Sequence, residues 1–154
     1  WSGLSAGEKS ALSQIIGRGI VDGKNPRVVS KEIAERMGVS RARAEGYSQT
    51  DITDTLRMAR LDERDWAVEN LGMDIGLLWK SALIPTTRPW HASRNGQVYT
   101  SAEVRQFYAG PDRYRCHCSV TEVLLDDDGR PMLTDRAKET SRAELAAWRR
   151  KRPA

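Results

Sequence analysis

Cysteine and phenylalanine are scarce in this 154-residue sequence, which holds two of the first and one of the second. Cys116 and Cys118 stand one residue apart, so no disulfide ties distant parts of the chain, and a bridge between them would close a small, strained ring. The fold must be held by packing, with or without a metal. Long apolar runs are also missing. The stretch from Ile75 to Ile84 is broken by Lys80 and falls short of the roughly 20 apolar residues that a membrane-spanning helix needs. No membrane association is expected, and nothing resembles a signal peptide. Charge of one sign is modest: 25 basic against 21 acidic residues leave +4, which permits contact with phosphate without demanding it. A glycine-rich phosphate loop, a nucleophile elbow and a paired zinc-ligand helix motif are all absent, and with them the familiar enzyme signatures. There is no internal repeat or low-complexity tract.

What is present points to one core. A chain of this length suits a single domain over residues 1–154, because two independent halves would each be short of buried surface. The sequence opens on Trp1 rather than Met, which reads as a fragment of a longer chain. Five tryptophans are expected at core edges or contact surfaces.

Residues 1–72 read as helical. Ser5-Ala6-Gly7-Glu8 has the capping-box pattern, and Leu12, Ile15, Ile16 and Ile20 recur at helical spacing. Asp22-Gly23 stops that helix and Asn25-Pro26 starts a second, which runs to Met37 with Gly38 as its cap. Ser40 caps a third, with Ala44, Tyr47, Ile52, Leu56, Ala59, Trp66 and Leu71 as its apolar positions, ending near Gly72. Residues 73–134 read as mixed. Ile75 to Ile84 suggests a buried strand, Asn95-Gly96 a tight turn into a short strand over Gln97 to Tyr99, and Ser101 the cap of a brief helix through Tyr108. Cys118 to Leu125 suggests a further strand, turned at Asp127-Asp128-Gly129 into a hairpin partner over Pro131 to Leu133. Residues 135–154 supply a solvent-facing helix and a basic tail. The fold class is therefore α+β: three helices, a small antiparallel β region and a C-terminal helix.

The chemistry concentrates in the second half, which carries both cysteines and both histidines. Thiolates and imidazoles are the ligands zinc prefers. A one-residue gap on extended backbone sends both sulfurs of Cys116-His117-Cys118 to one face and His117 away from it. Four such side chains make a closed tetrahedral site chemically possible, but this spacing favours a three-ligand set of His91, Cys116 and Cys118, with water or an outside ligand in fourth place. Two buried thiols, two satisfied histidines and no cofactor form the alternative. Arg88, His91 and Arg94 fall in a segment that reads as a loop with Pro85 and Pro89. It is able to offer cations to phosphate or simply to fix the preceding strand. Arg149, Arg150, Lys151 and Arg152 are candidate contacts for nucleic acid or an acidic partner, or a solvated tail.

Four stretches in this order resemble the Mu F-like head-morphogenesis family, the minor capsid proteins of tailed phages. They are Ser48-Gln49-Thr50-Asp51 on a helix; Leu78-Trp79-Lys80-Ser81-Ala82-Leu83 on a strand; Arg88-Pro89-Trp90-His91 with Asn95-Gly96-Gln97-Val98-Tyr99; and Arg115-Cys116-His117-Cys118-Ser119-Val120. Gln49 and His117 stand where the family usually has arginine. The resemblance implies a low-copy protein near the portal vertex, needed for head assembly, with portal and capsid proteins as partners and DNA as a further one. It implies a virion or host bacterial cytoplasm location. It implies no catalytic residue, leaving Arg88, His91, Gly96, Cys116 and Cys118 as fold-organising positions. The alternative reading is a toxin-type nuclease using His91, His117, Arg88 and Arg94, with a nucleic-acid substrate and an immunity protein.

Overall fold

The computed structural model describes residues 4–151, which divide into two compact units after Ala59, the first also taking Arg113–Arg115. Helix α1 (Ala6–Val21) begins at the expected capping box. The Glu8 N–H donates to the Ser5 hydroxyl at 3.3 Å, and the Ser5 N–H donates back to the Glu8 carboxylate at 2.7 Å. Helix α2 (Pro26–Met37) starts with Asn25 accepting from the Arg27 N–H at 2.9 Å and ends on Gly38. Helix α3 (Arg41–Leu71) starts at Ser40, whose hydroxyl accepts from the Arg43 N–H. Leu12, Ile15 and Ile16 of α1, Val29 and Ile33 of α2, and Ala44 and Tyr47 of α3 form the core of the first unit. Burying each large aliphatic side chain contributes about 1.5–3 kcal/mol.

The face of α3 differs from its apolar spacing. Leu56, Ala59, Trp66 and Leu71 are exposed, Ile52 is half-buried, and the early buried positions include Gly46, Ser48 and Thr50. Small side chains are needed because Tyr114 and Arg115 pack there, and a Cβ on Gly46 would collide with the Tyr114 hydroxyl. Thr50 Oγ1 accepts the Arg115 N–H at 3.0 Å, and Arg113 pairs with Asp54 at 2.7 Å.

The second unit is built on strand β1 (Ile75–Lys80), whose residues Gly76 to Trp79 are all buried. After it come helix α4 (Pro89–Ser93), strand β2 (Val98–Tyr99), helix α5 (Ser101–Phe107), a 3₁₀ turn over Gly110–Arg113, strand β3 (Ser119–Leu124) and helix α6 (Asp135–Arg150). The sheet is antiparallel in the order β2-β1-β3, with Leu77 opposite Tyr99 and Glu122, and Trp79 opposite Val120. The class is α+β.

Five details correct the sequence reading. The strand expected through Ile84 stops at Lys80, and Leu83 adopts φ 51, which no strand residue uses. The segment read as a loop around His91 contains α4, started by Pro89 in the first turn, where a missing N–H costs nothing. The cap of α5 is Thr100 rather than Ser101: Thr100 and Glu103 complete a second capping box, which frees Ser101 to donate to Asp65 at 2.9 Å. Cys118 precedes β3 rather than opening it. The hairpin partner of β3 shrinks to one bridge, Leu125 with Pro131, because Pro131 has no N–H with which to extend a ladder. Helix α6 starts at Thr134 as expected and is anchored by buried Ser141.

Candidate metal centre

Trp79, fully buried near the end of β1, is the hub from which the site is assembled. Its indole N–H donates to the His91 carbonyl at 3.2 Å and to the Ser81 hydroxyl at 2.9 Å, and that hydroxyl donates in turn to the same carbonyl. Tyr108, just past α5, stacks on Trp79 with ring centroids 5.1 Å apart and donates its hydroxyl to the Cys118 carbonyl at 3.1 Å. One aromatic pair thus fixes the backbone of both His91 and Cys118. Asn95 closes the far side. Its side chain accepts from the Ser81 N–H at 2.9 Å and donates to the Ser141 carbonyl at 3.0 Å. Gly96, at φ 79, follows it, and a Cβ there would stand 2.5 Å from Cβ of Ser141.

His91, Cys116 and Cys118 come together inside this frame. They are 1 %, 8 % and 3 % exposed, and their ligand atoms all lie within 4.8 Å of one another. Nδ1 of His91 is 3.4 Å from the Cys116 sulfur and 3.7 Å from the Cys118 sulfur. Nε2 is buried with no hydrogen-bond partner among the described residues. The alternation expected of the Cys-His-Cys segment holds: both thiols face inward and His117 is exposed. Hydrogen bonding with Cys116, and then burial, push the Cys118 thiol well above its ordinary range, while the Ala82 N–H hydrogen-bonded to it works the other way. Two non-glycine residues with positive φ, Leu83 and Arg115, border the cluster in sequence, next to Ala82 and Cys116. Such conformations cost of order 1–3 kcal/mol and gather at functional sites.

The remaining candidates are placed differently. Arg88 donates to the Asp112 carbonyl at 3.1 Å. Arg94 is half-buried, its guanidinium 3.8 Å from the centre of the Phe107 ring, a cation–π contact rather than a solvent-facing anion hook. With His91 buried and His117 exposed, the four residues of the nuclease alternative are not presented together on an open surface. Arg149, Arg150 and Lys151 are exposed at the end of α6, where positive charge complements the helix dipole, and Arg152 lies outside the described residues. No helix among the described residues is long and apolar enough to cross a membrane.

Sequence reasoning found the three ligand-type residues but missed the groups that hold them: Trp79, Tyr108, Ser81 and Asn95. Asn95 read as half of a turn signal, and its side-chain bonds to Ser81 and Ser141 leave no local pattern. A family model described as Phage Mu protein F like protein matches residues 11–121. No curated protein and no solved structure gives a significant match.

Proposed function

This chain belongs to the Phage Mu protein F like family, and from that premise we propose that it acts in phage head morphogenesis. In this reading it is a minor head protein of the virion, working near the portal in contact with portal and capsid protein. The observation that carries the proposal is the extent of the family match. Residues 11–121 include the aliphatic core of the first unit from Leu12 onward, the three ligand-type residues and the start of β3. The inward-facing site supports an organising role, since buried groups locked to carbonyls hold a shape rather than meet a substrate. Trp66 and Trp90, 57 % and 49 % exposed, offer the amphipathic rings that protein contacts favour.

The test is co-purification of the chain with the portal and major capsid proteins of the same phage, together with mass spectrometry of assembled heads. Substoichiometric presence in heads and specific recovery of portal protein are expected. Heads that assemble to normal yield without the protein, combined with its absence from virions, would remove this function.

A further inference from the structure

We propose that His91 Nδ1 and the thiolates of Cys116 and Cys118 bind one zinc ion, with water in the fourth position. The inference goes beyond the role in head assembly and stands independently of it.

Two sulfurs converge on one nitrogen. Nδ1 has a single in-plane site, either a lone pair or a proton, and satisfies only one sulfur by an S–H···N or N–H···S hydrogen bond. A metal on the lone pair engages both. The spacing agrees: bonds of about 2.0–2.1 Å to nitrogen and about 2.3 Å to sulfur give a tetrahedral N···S edge of about 3.6 Å. The two distances present, 3.4 and 3.7 Å, lie on either side of that edge. Three such donors brought together in a buried place, none more than 8 % exposed, are a soft nitrogen–sulfur set of the kind that selects zinc over magnesium or calcium.

The surroundings suit a bound ion. The Ala82 N–H hydrogen-bonds the Cys118 sulfur, the support a thiolate ligand uses. Trp79, Ser81 and Tyr108 hold the carbonyls of His91 and Cys118, so the ligands are fixed through their backbone before any ion arrives. The ion would fasten α4 to the segment entering β3, two pieces of chain 25 residues apart in sequence that share no strand pairing. Because three protein ligands leave a fourth position, the set differs from a closed four-ligand structural site.

The whole chain tests this directly, because Cys116 and Cys118 are its only cysteines and any sulfur–metal signature must come from them. The protein is purified without chelator for elemental analysis, then stripped and titrated with cobalt(II) while visible and near-ultraviolet absorption are followed. One zinc per chain is expected. So are cobalt bands of tetrahedral intensity with a sulfur-to-cobalt charge-transfer band saturating at one equivalent. The charge-transfer band should weaken in Cys118→Ser, where one thiolate remains, disappear when Cys116 and Cys118 are both replaced by serine, change position in His91→Ala, and stay unchanged in His117→Ala. A folded native chain that shows no charge-transfer band overturns the proposal. So does a band that survives intact in folded His91→Ala, or one that is lost in His117→Ala. If a ligand variant does not fold, the titration of the native chain and of His117→Ala still decides.

Discussion

The two units of this protein hold themselves together by different means. In the first, seven buried residues, five of them large aliphatics, meet across three helices, and the polar bonds of Thr50 with Arg115 and of Arg113 with Asp54 involve none of these seven. In the second, the centre is Trp79 with Tyr108, Phe107 and His91 around it, held by aromatic contacts and by hydrogen bonds to the His91 and Cys118 carbonyls. Aliphatic packing is non-directional and tolerates change of shape, whereas a bonded aromatic centre specifies one arrangement. The difference explains why ligand-type residues sit in the second unit. A metal or a fixed surface needs donors held in place, and the bonded aromatic centre of the second unit supplies that restraint where the ligand-type residues stand.

The largest expected effect comes from removing the hub. Trp79→Ala should cost about 3–5 kcal/mol through the cavity alone, and it also removes one of the two donors to the His91 carbonyl and the indole bond to the Ser81 hydroxyl. Ile33→Ala, equally buried in the first unit, should cost about 2–5 kcal/mol by cavity formation with no polar group orphaned. Urea unfolding measures both, and the rate at which Cys116 and Cys118 react with a thiol reagent under native conditions separates them. Both thiols should become reactive in Trp79→Ala and stay protected in Ile33→Ala. Equal reactivity in the two variants would break the distinction between the units.

The same contrast governs what the sequence disclosed. The first unit was legible because its signals are local. Ser5 and Glu8, Asn25 and Pro26, and Gly38 each act within a few residues, and the structure uses all of them as caps. The exception is α3, whose buried face is set by Tyr114 and Arg115 arriving from far along the chain, so Gly46 and Thr50 count for more there than Leu56. In the second unit, residue chemistry pointed to His91, Cys116 and Cys118, and alternation turned His117 outward. The supports were not legible, because Asn95 to Ser141 and Tyr108 to Cys118 are contacts fixed by strand register and helix placement.

Glycine substitution sharpens the comparison with opposite signs. Gly96 has φ 79, and its added Cβ would meet Ser141, so Gly96→Ala should destabilise by about 1–3 kcal/mol. Gly17 is an exposed residue inside α1 with nothing within 4 Å of an added Cβ. There Gly17→Ala should stabilise by about 0.4–1 kcal/mol, by reducing the freedom of the unfolded chain. Thermal unfolding of the two variants gives both signs, and a neutral Gly96→Ala would mean that α6 moves aside at no cost and does not anchor the second unit.

The smallest effect tests whether the directional bonding of the second unit extends to charge. Burial works to raise the Asp65 carboxyl, but hydrogen bonds from Arg105, Arg64 and Ser101 outweigh it and hold the group below its ordinary 3.8. Arg64 stands 2.7 Å from one carboxylate oxygen, and Arg105 and Ser101 each 2.9 Å from the other. A carboxyl lowered in the folded state contributes stability above its unfolded value and loses it as pH falls through the folded one. Asp65→Asn should therefore cost about 1 kcal/mol or less at neutral pH, the scale of a partly exposed ion pair. That gap should close as the medium is taken below the ordinary carboxylate range, because the parent protein then loses the same charge. Urea midpoints for parent and variant, followed from neutral pH into acid, read the gap directly. A gap that stays constant into strong acid would show that Asp65 acts through shape alone, and the second unit's reliance on directed bonds would then stop short of its charged groups.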